Sequence, residues 1–316
     1  HKVAPAIAAG NSVLLKPSPS APLTAYNFVK LLILAGLPKE AICVLNCSNN
    51  QTERLAQDYR VKVINFTGNS SIGWNLRSIA HPGTRCILEL GGNSPVIVHE
   101  DADLNKALPA CIRGAFAFSG QSCISVQRIY LHEKILPDFI EEFVEATNAL
   151  VVGDPMDENT DLGPLIKESA AKRIHLWVEE ATSEGAKLLT GGNIISKNLY
   201  KPTVLRNVKS KMNVICSEVF GPVVSLMSYS NIDEVLQHAN DSAYGLSAAI
   251  FTQNVDLAFS VSKKLYAGTV LINDSSAFRA DEMPIAGLNQ SGLGVEGPRN
   301  AIREMSITKL TCLNLA

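Results

Sequence analysis

The chain has 316 residues, 46% hydrophobic and 18% charged, enough apolar material for one large domain or two smaller ones. A net charge of −2 offers no basic surface for nucleic acid, and no apolar run approaches the roughly 18 residues that a membrane-spanning helix needs. The seven cysteines form no Cys-x-x-Cys pair and accompany no histidine pair, which argues against zinc and against a disulfide framework; free thiols fit a reducing, cytoplasmic setting.

Helical and strand-like segments alternate, which predicts an α/β architecture. The chain opens on His1 with no signal peptide and is already in a helix-then-strand pattern, so it reads as a fragment or a processed chain. Residues 2–9 predict a helix ending at Gly10, and 13–15 a short strand stopped by Lys16-Pro17. Residues 22–35 carry apolar side chains at helical spacing, with Gly36 as the C′ residue and Pro38 just beyond. Strands are expected at 42–45, 61–66 and 86–90, with a helix over 71–80. These strand-helix-strand units predict right-handed crossovers and a parallel, Rossmann-like sheet. After Pro95 a second unit begins, with helices over 101–116, 136–150 and 168–185. Its strands are expected at 128–132, 223–227, 248–251 and 269–272. Residues 307–314 alternate like a terminal strand without a partner nearby, which points to pairing with another subunit.

Three segments carry residue types suited to chemistry. Cys123 follows Phe118-Ser119-Gly120-Gln121-Ser122, where small residues leave room for a substrate. A structural cysteine packs among bulky aliphatics instead, as expected for Cys43, Cys86 and Cys111; for Cys123 alone both readings stay open. Glu89 ends an apolar strand and precedes Gly91-Gly92, which let backbone approach a ligand closely. If buried, its carboxyl is tuned toward general-base work; if at a sheet edge, it is merely solvated. Phe66-Thr67-Gly68-Asn69-Ser70-Ser71-Ile72-Gly73 places a helix N-terminus after a glycine turn, where phosphate can bind. Its Gly-x-x-x-x-Gly spacing is not the dinucleotide fingerprint, and on spacing alone it fits any strand-to-helix turn.

Taken together, Lys16-Pro17-Ser18, Phe66-Thr67-Gly68, Glu89-Leu90-Gly91-Gly92-Asn93-Ser94-Pro95, Gly120-Gln121-x-Cys123, Glu218-Val219-Phe220-Gly221-Pro222 and Ser291-Gly292-x-Gly294 resemble the aldehyde dehydrogenase superfamily in order and spacing, over essentially the whole chain. The resemblance implies that Cys123 attacks an aldehyde to give a thiohemiacetal and then a thioester, and that Glu89 activates the water that releases the acid. It implies NAD or NADP as cofactor. Lys16 would meet the adenosine ribose, Gly68 and Gly73 would flank the pyrophosphate, Glu218 would hold the nicotinamide ribose and Phe220 would pack beside it. Ser18, Asn69 and Leu90 join that cofactor-binding set. The implied fold is a Rossmann-like cofactor domain, incomplete over 1–91, a catalytic domain over 92–289 and a C-terminal segment, 290–316, with an oligomerisation strand of a dimer or tetramer.

Departures from the family pattern have consequences. Pro19 stands where the family usually has a glutamate that would discriminate against the 2′-phosphate of NADP, so that discrimination is removed and NADP is admitted beside NAD. Pro284-Ile285-Ala286-Gly287-Leu288-Asn289 lacks the family's aromatic residue. The segment carrying the family's oxyanion-binding asparagine would precede His1, so the chain alone is expected to be inactive or poorly folded. Ser275-Ser276-x-x-Arg279-x-Asp281-x-Met283-Pro284 is similar to lactaldehyde- and glycolaldehyde-type members, with Arg279 facing a polar or anionic substrate tail, or else pairing with Asp281 at a surface. The alternatives are a CoA-acylating semialdehyde dehydrogenase, which the presence of Glu89 opposes, and a non-catalytic binding or structural subunit, which the full set of site residues opposes.

Overall fold

A computed structural model describes residues 1–315. The contacts within the chain define two compact units. One holds residues 1–90, 280–286 and the segment from 292 onward; the other holds 91–279 and 287–291.

The first unit begins with α1 (Val3–Ala8), β1 (Val13–Leu15), α2 (Pro22–Leu34), β2 (Ile42–Val44), α3 (Asn49–Gln57), β3 (Val63–Thr67), α4 (Ser70–Ile79) and β4 (Arg85–Glu89). Local chemistry sets several boundaries. Pro22 opens α2 where its missing N–H costs nothing, and Gly36 follows its end at φ +101°. Ser48 and Gln51 form a reciprocal capping box on α3, a helix too polar to show in the apolar periodicity. β1 pairs with β2 and β3 with β4, both parallel, but the two pairs belong to separate sheets. The single parallel sheet expected from the repeated units is thus divided among the described residues.

The second unit contains β5 (Ser94–Val98), α5 (Leu104–Phe116), β6 (Val126–His132), α6 (Leu136–Ala149), α7 (Glu168–Ser183), β7 (Lys187–Thr190), β8 (Ile194–Ser196), β9 (Leu199–Tyr200), β10 (Thr203–Arg206) and α8 (Asn213–Cys216). It continues with β11 (Val223–Tyr229), α9 (Ile232–Asn240), β12 (Tyr244–Gly245), β13 (Ser247–Phe251), α10 (Val255–Lys264), β14 (Thr269–Ile272) and β15 (Leu288–Asn289). Its main sheet has seven strands in the order β14-β13-β5-β6-β11-β10-β7, parallel throughout except for β7 at the edge. Every residue of β5, β6 and β13 is buried, as a parallel sheet covered on both faces requires. Phe139 and Phe143 of α6 stack with ring centroids 5.6 Å apart, and Phe116 of α5 meets Phe143 at 6.3 Å.

The chain then returns to the first unit with β16 (Gly292–Leu293), which pairs antiparallel with β4, and α11 (Pro298–Glu304). Residues 307–315 form no ladder, and Ile307, Leu310 and Leu313 are largely exposed. The alternating segment therefore has no strand partner among the described residues. No helix among the described residues is long and apolar enough to cross a membrane.

Candidate active site

In the second unit, Cys123 lies in a turn between α5 and the start of β6. The approach to it is left-handed at three successive residues, Phe118 (φ 52°), Ser119 (φ 57°) and Gly120 (φ 69°). Such a conformation is unfavourable for a bulky residue and persists only where neighbours over-determine it. Here hydrogen bonds do so. Ser119 Oγ donates to the Gly163 carbonyl at 2.7 Å, Gln121 Oε1 accepts from Ile166 N at 2.8 Å, and Ser276 Oγ donates to the Ile124 carbonyl at 2.9 Å. A Cβ on Gly120 would lie 2.1 Å from the Gly221 carbonyl oxygen, so no other residue fits there without displacing backbone. The turn is consequently fixed, and it leaves the thiol half-buried in accessible surroundings. By contrast, Cys111 is fully buried, and burial pushes its thiol far above the ordinary range; the Cys86 thiol is raised by burial as well. Cys43, expected in a packed environment, is exposed, because only the Ile42 side of short β2 is covered.

Two further groups converge on this turn. A Cβ on Gly92 would fall 2.1 Å from the Cys123 carbonyl oxygen, and one on Gly91 would fall 2.4 Å from Glu218 Oε2. The paired glycines therefore let one backbone segment pass between the Cys123 turn and the Glu218 loop. Gly92 N donates to Glu218 Oε1 at 2.9 Å. Burial raises the Glu218 pKa; the Gly92 N–H and the Arg173 guanidinium oppose that shift. Arg173 donates to the Val219 carbonyl at 2.7 Å and stacks on Trp177. Phe220 follows in a left-handed conformation, φ 48°, with its ring partly exposed. Sequence reasoning thus named Cys123, Glu218 and Phe220, and the structure brings their segments together.

It also reveals supports that the motifs did not indicate. Asn93 Nδ2 donates to the Ile215 carbonyl at 2.5 Å, Gln127 bonds to the backbone on both sides of Glu218, and buried Arg128 donates to the carbonyls of Asn93, His238 and Ala239. A signal for the last two was available: Gln127 and Arg128 interrupt an otherwise apolar strand. Ser291, in the terminal Ser-Gly-x-Gly motif, donates to the Gly91 carbonyl at 2.7 Å and accepts from Gly245 N at 2.9 Å, which ties down the glycine segment from the other side.

In the first unit, Glu89 is the last residue of β4 and is only 5% exposed, so the solvated-edge reading does not hold. Its backbone carbonyl accepts from Gly68 N at 3.1 Å, which places the turn before α4 beside the end of β4. Asn69 caps α4 by accepting from Ser71 N at 2.9 Å. Ser70, at the first position of α4, has a buried hydroxyl with no hydrogen-bond partner among the described residues. A Cβ on Gly73 would lie 2.4 Å from Leu90 Cδ2, so Gly73 allows α4 to pack directly against Leu90. Lys16 follows the carboxyl end of β1 half-buried, and Ser18 beyond it is exposed. Arg279, in the second unit, is half-buried in an irregular segment after β14.

Comparison with known proteins adds a separate line. The chain is 45% identical over 317 aligned residues to a 3-sulfolactaldehyde dehydrogenase of Priestia aryabhattai, an alignment that covers all of this chain and 66% of that protein. Among solved structures, it superimposes with a TM-score of 0.93 and 40% identity on the NADP complex of glyceraldehyde-3-phosphate dehydrogenase GapN from Methanocaldococcus jannaschii, covering 96% of this chain and 67% of that one. Aldehyde dehydrogenase 21 of Physcomitrella patens, solved with its reaction product succinate, gives 0.94 and 41%, covering 96% and 63%. The chain thus spans about two thirds of the length of these relatives. The model of the aldehyde dehydrogenase family matches residues 1–311, and the chain belongs to that family.

Proposed function

We propose that the protein carrying this chain oxidises a small aldehyde to its carboxylic acid with NAD or NADP. The observation that carries the reading is the convergence on Gly91-Gly92 of a hydrogen-bonded turn holding a half-buried thiol and a loop holding a half-buried carboxylate. In this reading the Cys123 thiolate attacks the aldehyde carbon, forming the C–S bond of a thiohemiacetal, and the positioned turn removes much of the entropic cost of that encounter. A bound nicotinamide would supply the oxidation, as acceptor of the hydride lost from the thiohemiacetal carbon while its hydroxyl gives up a proton. Cys123 then carries a thioester. Glu89 removes a proton from water, the resulting oxygen nucleophile attacks the thioester carbon, and the C–S bond breaks to restore the thiolate.

The residues present fit a dinucleotide. The N-terminus of α4 has the dipole end and the orphaned Ser70 hydroxyl suited to a pyrophosphate, with Gly68, Asn69, Gly73 and Leu90 shaping that turn. Lys16 and Ser18 would meet the adenosine side, and Glu218 and Phe220 the nicotinamide ribose. The NADP complex of the Methanocaldococcus relative supports this cofactor class. Sulfolactaldehyde and glyceraldehyde 3-phosphate, named for two relatives, are small and anionic at one end, and succinate, the reaction product named for a third, keeps a second carboxylate besides the one that aldehyde oxidation forms. They support Arg279 as the residue that meets an anionic tail. We further assign the exposed 307–315 segment to contact between subunits of a dimer or tetramer, and the seven free thiols to a reducing compartment such as the cytoplasm.

Glu89→Gln tests the chemistry. With aldehyde and NAD(P) it should accumulate an acyl adduct on the peptide containing Cys123, detected by intact-mass and peptide mass spectrometry. A thioester that hydrolyses at the wild-type rate would remove Glu89 from its role.

A further inference from the structure

Glu218, Val219 and Phe220 lie outside any helix or strand, so no ladder fixes the residue proposed to hold the nicotinamide ribose. Backbone groups in such a segment must find other partners or lose stability. Gln127, the second residue of β6 and 6% exposed, supplies them. Its Nε2 donates to the Ser217 carbonyl at 2.6 Å and to the Val214 carbonyl at 3.1 Å, and its Oε1 accepts from Val219 N at 3.1 Å. The carboxamide thus grips the residues immediately before and after Glu218, much as a neighbouring strand would. Asn93 holds the same stretch from its other partners, Ile215 and Ser217. The gripped carboxylate accepts from Gly92 N, and Gly92 packs against the carbonyl of Cys123. Because Gln127 follows Cys123 closely in sequence, one strand end carries both the nucleophile and the support of the cofactor-facing carboxylate.

We infer that Gln127 is a positioning residue that sets Glu218 against Gly92 and thereby the nicotinamide half of the cofactor site. The inference rests on the reading of Glu218 as a cofactor ligand. An apolar side chain of similar size would fill the volume but leave the Val219 N–H unpaired and the Ser217 carbonyl with only the 3.4 Å contact from Asn93, and the loop would relax to satisfy them. Glutamate would keep the acceptor toward Val219 N while opposing a carboxylate to two carbonyl oxygens.

The test uses Gln127→Leu in the complete protein, with Gln127→Glu as the second variant should the first not fold. Hydrogen exchange at the Gly92 amide, referenced to Ile129 and Leu226 in the β6–β11 ladder, reads the clamp directly. It should accelerate about tenfold while the reference amides hold. Unchanged Gly92 protection, or equal acceleration of all three, would overturn the inference. Binding of NAD and NADP, followed by tryptophan fluorescence without aldehyde, reads the consequence. Affinity should fall about tenfold, whereas ADP, which lacks the nicotinamide ribose, should bind as before. In a Glu218→Gln background the Gln127 substitution should add no further loss. Losses that simply add would show that Gln127 acts by another route and overturn the positioning role. If Gly92 exchange accelerates but neither Gln127→Leu nor Glu218→Gln alters dinucleotide affinity, the clamp stands and the ribose assignment of Glu218 falls.

Discussion

Glycine 92 shows how a single hydrogen atom can be required of a side chain. With a Cβ it would stand 2.1 Å from the Cys123 carbonyl oxygen, a contact that only backbone movement relieves. Gly92→Ala should therefore shift the nucleophile turn and lower kcat/KM on the order of a hundredfold, since a displacement of about 1 Å at a reacting group has that effect; steady-state NAD(P)H formation measures it. Glu218 carries a pH-dependent consequence. Its folded pKa is raised, chiefly by burial, so its contribution to stability is fully present below the ordinary carboxylate pKa and is lost as pH rises through the folded value. Glutamine keeps the acceptor for Gly92 N but cannot ionise. Melting curves from a pH of about 4 to about 8 should show Glu218→Gln gaining on wild type as pH rises through the carboxylate range; a constant difference would mean the carboxyl is not desolvated. At this scale the sequence suggested candidate chemistry more readily than its support. Cys123 and Glu89 were singled out by the family motifs around them, since a thiol among small residues and a carboxylate ending an apolar strand each left two readings open. Gln127 shows locally only as a polar interruption of an apolar strand; its partners, backbone atoms about ninety residues away, are encoded by no local pattern.

Elements with strong periodicity were the most legible. The expected helices at 22–35, 136–150 and 168–185 correspond to α2, α6 and α7, because each carries a regular apolar face and a boundary residue such as Pro or Gly. α3 did not show, since Asn49–Gln57 is polar and its start is set by the Ser48–Gln51 capping box rather than by apolar spacing. β5 was hidden by Pro95, which ordinarily argues against an interior strand. Its register with β6 shifts between Ser94 and Pro95, an irregularity that accommodates the missing N–H. β7 to β10 are only two to four residues long, too short to show alternation, although they pair nearby, β8 with β9 and β7 with β10. Packing of α6 against α5 gives an element-scale prediction. Phe143 is fully buried between Phe139 and Phe116, so Phe143→Ala should cost about 3–5 kcal/mol, seen as a lower urea midpoint. Asn254 caps α10 by accepting from Leu257 N at 3.0 Å, and Asn254→Ala should cost about 1 kcal/mol in the same assay.

At the scale of the whole molecule, the exposed apolar side chains are not scattered evenly. Leu23, Leu31 and Leu34 of α2 are each at least 64% exposed, and Ile307, Leu310, Leu313 and Leu315 are at least 78% exposed. Patches of this kind mark surfaces that other polypeptide covers. The chain spans 66% of the Priestia relative's length, and a protein that carries the remaining third as well should bind less hydrophobic dye and scatter less light than these 316 residues alone. The division of the site residues follows the same architecture: Lys16, Gly68, Gly73 and Glu89 belong to one compact unit, and Cys123, Glu218, Phe220 and Arg279 to the other. Each set was legible from short motifs, but the supporting hydrogen bonds emerged only from the folded chain. The central claim, thiol-dependent oxidation of an aldehyde, is tested most directly by following NAD(P)H formation by the complete protein with a panel of small anionic aldehydes and no CoA, beside Cys123→Ala. The account predicts turnover with at least one such aldehyde and none in the variant; turnover that survives the loss of the thiol, or a folded wild-type protein inert with both cofactors, would contradict it.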